Sequence, residues 1–384
     1  MQVVAQGWLV LELTNSAFKV GLVSTLGALP VLFFTLYGGV LADRVNRRPF
    51  IVWLQGGLMI EALLLGLLTV TGQVTVHWVM ALAVLAGTLS AFEIPARQSF
   101  LTEMVERDDI VNAVALNSTI FNVTRVIGPA IAGALIAAAG TAICFFVNAG
   151  SFLAVITGLL LMRFPRDHRP HGDESAVRAT FRDGMDYVFG ERLPRLLTIL
   201  TAVFGVFGFS FIVMLPVFAR DTLHVGSAGY GALLSAVGIG ATLGAVFVAA
   251  YGHRIPRERL VFPVGVLYSL LLLCTAFAPG FPSALVLLTL TGCSWVLTAI
   301  MTNTLLQSLA PDRLRGRVMG FYSFVVVGLA PFGSLQAGWV AEHFGVRTSI
   351  AAGAGISTVA AIVALFQMRK GDSARGGRAA GLTI

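Results

Sequence analysis

Three charged residues stand inside otherwise apolar runs of the chain: Glu61, Glu93 and Arg125. A charge at the centre of a membrane helix costs roughly 2.5–3.5 kcal/mol even on the mildest insertion scales, so such residues face a cavity or a partner. A buried carboxyl there is a group that can take up and release a proton. Glu61 and Glu93 are therefore candidates for proton coupling, with static pairing as the competing role for each. Glu93 lies four residues before Arg97, the spacing of an ion pair along one helix face. Arg125 lies one turn from Asn122 and two from Asn117 and Ser118, which stacks these side chains into one polar stripe. That places Arg125 as an organiser of the interior ahead of a direct substrate contact. A further cluster ends one apolar run: Gly38-Gly39-Val40-Leu41-Ala42-Asp43-Arg44-Val45-Asn46-Arg47-Arg48. Its glycines allow a close helix approach. Asp43 sits at the membrane boundary, where it can cap a helix N-terminus or pair with an arginine, Arg97 included.

Catalytic constellations are missing from this inventory. The six histidines fall at loops or at the edges of apolar runs, no aspartate lies inside one, and no HExxH or phosphate-binding glycine loop is present. The three cysteines, Cys144, Cys274 and Cys293, show no metal-ligand or pairing pattern. A membrane enzyme, an ATP-driven pump, a metal site and a bound cofactor are accordingly not expected.

The elements that must position these residues follow from composition. Apolar residues make up 57% of the 384 and charged ones 12%, against about a quarter charged in soluble domains. The surplus must face lipid. A crossing helix needs about 20 apolar residues, and that ruler gives eleven full-length spans. They lie at 18–42, 50–71, 76–92, 114–139, 142–162, 196–219, 229–251, 260–278, 283–301, 318–340 and 351–368. The apolar segment 2–13 ends in the turn-like Thr14-Asn15-Ser16 and reads as the second part of a twelfth, first-in-order helix, with Met1 inside it. Period-two alternation is absent, so the spans are helices and not barrel strands.

The net charge of +7 is sorted by loop, which argues against a nucleic-acid partner. All of the 26 Lys and Arg residues except Lys19, Arg220, Arg347 and the intramembrane Arg125 fall on one side. Positive-inside bias makes that side, with the C-terminal tail, cytoplasmic. The polar stretch 163–195 divides the chain into an N-terminal six-helix bundle (1–163) and a C-terminal one (196–368), joined by the linker 164–195 and followed by a tail (369–384). In the linker, Phe181, Met185, Val188 and Phe189 recur at helical spacing, as in an amphipathic helix lying on the membrane surface. The halves echo each other: the loop after 42 matches the loop after 251, and Asn117, Gly128 and Gly133 match Tyr322, Gly333 and Gly338 in register. Repeated bundles with a path between them are a transporter architecture.

The loop from Gly39 to Arg48 resembles the signature G-x-L-a-D-r-x-G-R-R of the major facilitator superfamily. Gly39, Leu41, Asp43, Arg44, Arg47 and Arg48 match it, and Asn46 replaces a glycine. Pro95 to Phe100, Asn112 to Ser118, Arg125 to Gly133 and Cys144 to Asn148 resemble the exporter branch that contains the enterobactin exporter and macrolide efflux proteins. Gly128-Pro129 with Gly133 resembles the antiporter-type signature of helix 5, where proline removes a hydrogen bond and glycine lowers the helix profile.

The resemblance implies an all-α, twelve-helix fold of two pseudo-symmetric bundles. It also implies a gating role for Asp43 and Arg97 on the cytoplasmic side, and a cavity lined by helices 1, 4, 7 and 10. Those helices offer Gln6, Trp8, Thr88, Phe204, Phe207, Trp295 and Asn303. Aromatic walls with few polar groups suit drug-sized amphiphiles. The expectation is a monomeric exporter in a bacterial cytoplasmic membrane, exchanging a drug, siderophore or related metabolite for protons. A lysolipid transporter or a metabolite importer on the same fold is the alternative.

Overall fold

The computed structural model describes residues 1–105, 109–162, 181–252 and 254–380; some side chains inside those ranges, among them Asp43, Ser118, Asn122 and Phe181, lie outside the described set. Among the described residues every regular element is a helix. The first half holds α1 (Gln2–Thr14), α2 (Ala17–Arg44), α3 (Arg47–Val70), α4 (Val76–Glu103), α5 (Ile110–Ala139) and α6 (Thr141–Leu161). Then come α7 (Phe181–Gly190), α8 (Arg192–Val203), α9 (Phe211–Val217), α10 (Ser227–Tyr251) and α11 (Arg257–Ala276). The chain closes with α12 (Phe281–Leu309), α13 (Arg315–Gly328), α14 (Ala330–Phe344) and α15 (Val346–Ala380). Among the described residues ten stretches are long and apolar enough to cross a membrane, and Val123–Ala139 within α5 is a shorter apolar helix. At 13 residues, α1 reaches about 20 Å.

Local chemistry sets the helix ends. Asn15 closes α1 in the left-handed region, at φ 49°, a conformation asparagine tolerates. Ser16 caps α2 by accepting from Lys19 N at 3.2 Å, and Thr75 caps α4 by accepting from Trp78 N at 3.4 Å.

Three elements differ from their expected form. The span expected at 76–92 continues to Glu103, carried through Pro95, because the charged turns past residue 92 satisfy one another along the helix. The span expected at 196–219 is interrupted by π-helical turns at Phe204–Gly208 and Phe218–Thr222. In the first, Phe209 N donates to Phe204 O at 2.6 Å, five residues back. The span expected at 318–340 is broken at Leu329 into α13 and α14, where Pro331 supplies no backbone donor.

The described chain forms two compact units. The first takes in residues up to 162 with Ile212–Ser235 and Ala330–Val346; the second takes in 181–211, Ala236–Leu329 and 347–380. Inside the first, α2 and α4 touch backbone to backbone: a Cβ on Gly87 would lie 2.0 Å from the Gly27 carbonyl oxygen. Inside the second, α10 and α12 do the same, with a Cβ on Gly240 1.8 Å from Thr289 O. Glycine at these crossings is what dispersion-driven packing in lipid uses. The linker helix α7 also belongs to the second unit. Its Val188 is 1% exposed in a cluster with Ala310, Val318, Phe321 and Val325. Its Asp183 pairs with Arg317, and Tyr187 Oη donates to Leu309 O at 2.7 Å. The apolar face of this helix is thus seated on α12 and α13.

Candidate functional site

The loop motif joins α2 to α3 with only Val45 and Asn46 between them. Arg48 serves a neighbouring helix: its Nε and Nη2 donate to Leu159 O and Leu160 O, both at 2.8 Å, at the C-terminus of α6. A cation there meets the negative end of the helix dipole. Leu41 is 38% exposed, Arg44 is exposed and Arg47 half-buried. Gly39 and the Asp43 side chain lie outside the described residues. Nearby, Glu93 Oε1 is 3.1 Å from Arg97 Nε and accepts from Gln55 Nε2 of α3 at 3.2 Å. Glu93 is buried, while most of the Arg97 side chain is exposed.

Glu61 is 0% exposed. Gln2 Nε2 donates to its Oε2 at 2.7 Å, and Asn148 Nδ2 donates to Gln2 Oε1 at 2.7 Å. A carboxyl, two amides and three helices (α1, α3, α6) thus form one chain of hydrogen bonds, buried at Glu61 and half-buried at the two amides. The second carboxyl oxygen, Oε1, has no partner. The group is held by a neutral amide rather than by a cation.

On α5 the three motif residues separate by role. A Cβ on Gly133 would lie 2.6 Å from Ser227 O and 2.9 Å from Gly231 Cα, so glycine is required where α5 meets the start of α10. Pro129 presents its carbonyl to the same contact, 2.5 Å from a Cβ built on Gly231. A Cβ on Gly128 would find nothing nearer than Thr124 Cγ2 at 3.9 Å. Asn117 is exposed and Arg125 half-buried, and the Asn122 side chain lies outside the described residues.

The internal repeat reappears in this contact. Gly133 and Gly338 are repeat mates, and in the first unit a Cβ on Gly21 of α2 would lie 3.0 Å from Gly338 Cα on α14. Both crossings sit at the bundle end away from the Arg44–Arg48 loop. At that end Glu342 Oε2 accepts from Ser16 Oγ and Phe18 N, both at 3.1 Å, at the start of α2. Arg220 Nη1 donates to Leu11 O at 3.2 Å and to Asn15 Oδ1 at 2.7 Å, at the end of α1. Each charge matches the dipole end it meets. Sequence reading singled out neither residue for this, because their partners are distant in the chain and no spacing rule connects them.

The residues expected to line a cavity fall into two groups. In the first unit, Gln6 Nε2 is buried without an acceptor. Trp8 is 7% exposed, stacks on Tyr230 at 5.9 Å and donates Nε1 to Glu12 Oε1 at 2.6 Å. Thr88 spends its hydroxyl on Val84 O of its own helix. In the second unit, Phe204 is 1% exposed and packs on Tyr268 at 5.0 Å and on Trp295. Trp295 is half-buried and also stacks on Phe209 at 5.0 Å. Phe207 is half-buried, and Asn303 Oδ1 accepts from Gln307 Nε2 at 2.8 Å. The amides Gln2, Gln55 and Asn148, which complete the acidic clusters, were open to detection as polar residues inside apolar runs.

A family model described as transmembrane secretion effector matches residues 1–379. The chain belongs to that family. Among its relatives, the multidrug efflux pump Tap of Mycolicibacterium fortuitum is 30% identical over 378 residues, covering 96% of this chain and 91% of that one. The enterobactin exporter EntS of Shigella flexneri is 26% identical over 356 residues, covering 92% and 84%. A crystal structure of a bacterial homologue of the human lysosomal transporter Spinster superposes with a TM-score of 0.76 at 15% identity, over 96% of this chain and 94% of the other. The chain therefore has the all-helical major facilitator fold that its loop motif implied, and it is a multi-pass membrane transporter.

Proposed function

We propose that this protein exports small amphiphilic molecules across a bacterial cytoplasmic membrane by alternating access, in exchange for protons. The arginine-rich loops and the C-terminus then face the cytoplasm, and the bundles 1–163 and 196–368 act as the two rocking bodies of a monomer. The observation that carries the reading is the pair of repeat-related glycine crossings, Gly21 with Gly338 and Gly133 with Gly231. Close small-residue contacts between helices of the two sequence halves are what a gate that parts and re-forms would use. The opposite end carries the Asp43 loop and the Glu93–Arg97 pair, the expected second gate. The names of Tap and EntS support export as the direction. Glu61 and Glu93 are the groups assigned to proton exchange, since both are buried carboxyls among apolar helices.

The test is efflux of a preloaded amphiphilic dye from cells that express the chain, beside Asp43→Asn and an empty vector. Efflux above vector that collapses with a protonophore, and falls about tenfold, equivalent to about 1.4 kcal/mol, in Asp43→Asn, supports the reading. Protonophore-insensitive movement, or dye accumulation in place of loss, contradicts it.

A further inference from the structure

Among the described residues, the charge at membrane depth left without a partner is Arg125. Four residues at helical spacing, Arg125, Gly128, Ala132 and Ile136, share one face of α5. Gly128 is buried, Ala132 is 0% and Ile136 6% exposed. The opposite face carries Val123, Ile127 and Ile131, which are 49%, 48% and 46% exposed, as lipid-facing residues are. Arg125 therefore continues the inward stripe, one turn toward the Arg44–Arg48 end of the bundle, where it stays half-buried. A guanidinium brings five donors and no acceptor. It forms no hydrogen bond or ion pair with any described residue. The two carboxyls at membrane depth do not serve it: Glu61 is held by Gln2, and Glu93 by Arg97 and Gln55. A second donor is in the same position, since Gln6 Nε2 is buried without an acceptor on α1, a helix packed against α5. The interior of the first unit thus offers a cation and an amide donor that the described residues leave unmatched.

We propose that Arg125 is the substrate-recognition cation of this transporter and that its cargo includes amphiphiles bearing a carboxylate or phosphate group. The inference rests on the exporter reading and narrows it to a charge class. The planar fork of the guanidinium fits a carboxylate or phosphate through two parallel bonds, and lysine replaces it only as a point charge.

The experiment uses the full chain in everted membrane vesicles with two probes, an amphiphilic dye carrying a carboxylate and its methyl ester. Arg125→Gln is expected to slow transport of the carboxylate dye about tenfold or more and to change ester transport by less than about twofold. Arg125→Lys should recover part of the carboxylate rate. Intact ester transport shows that each variant is folded and cycling. Equal losses for both probes would make Arg125 a structural or cycle residue and overturn the proposal, as would an unchanged carboxylate rate in Arg125→Gln. Wild-type vesicles that move only the ester overturn it while leaving the exporter reading in place. Vesicles that move neither probe sink both.

Discussion

At the scale of single residues, the two buried carboxyls show what a spacing rule reaches and where it stops. Glu93 and Arg97 are four apart, and their ion pair at 3.1 Å is the geometry that i,i+4 neighbours on a helix adopt. Glu61 has its partner 59 residues away in Gln2, a pairing that only the packed bundle brings together. No periodicity of the sequence encodes it. Replacing Glu61 by alanine removes the acceptor of the half-buried Gln2 donor, which costs about 1–3 kcal/mol. Glutamine keeps the volume and an acceptor oxygen. Glu61→Gln is therefore expected to be the more heat-stable of the two in detergent, with both reaching the membrane. If Glu61 also carries the coupled proton, Glu61→Gln still exchanges substrate for substrate across the membrane but no longer responds to a pH gradient. An alanine variant as stable as the glutamine one would show that the Gln2 contact contributes nothing.

At the scale of elements, hydropathy located the spans well and described their interiors poorly. An apolar ruler ends a helix at the first charges, so α4 came out too short: its last turns, from Glu93 on, are polar but still helical. It also passes straight over the π turns at 204–208 and 218–222, since one extra residue in a turn leaves the mean hydropathy of the span unchanged. The helix-5 motif was legible as a motif, yet its glycines do different work. Gly133→Ala is expected to destabilise by about 1–3 kcal/mol and to cut efflux, because its Cβ would meet the Ser227 carbonyl. Gly128→Ala is expected to leave efflux within about twofold of wild type and to gain about 0.5–1 kcal/mol of helix stability. Thermal unfolding of the two variants side by side decides this; the reverse order would remove the α5–α10 contact from the account. Glu342→Ala should loosen the start of α2 by about 0.5–2 kcal/mol, the usual cost of a lost N-cap. Faster amide exchange at Phe18 and its neighbours would register it, and unchanged exchange would show that solvent replaces the cap without loss.

At the scale of the whole molecule, the fold class was carried by the surplus of apolar residues and by the charge sorting among loops. The echo between halves was weaker as sequence than as structure. Its matched glycines become meaningful once Gly21 faces Gly338 and Gly133 faces Gly231. What the sequence could not reveal was which helices trade partners between halves, because that depends on crossings a few ångströms wide between helices far apart in the chain. The central claim is exchange of a substrate for protons by this single chain. The direct measurement is substrate uptake into liposomes that contain the purified protein and are loaded acid inside. The account predicts uptake that exceeds protein-free liposomes, raises the lumenal pH as protons leave, and stops when an ionophore dissipates the gradient. Uptake that proceeds at the same rate with the gradient absent or reversed, with no accompanying proton movement, would contradict it.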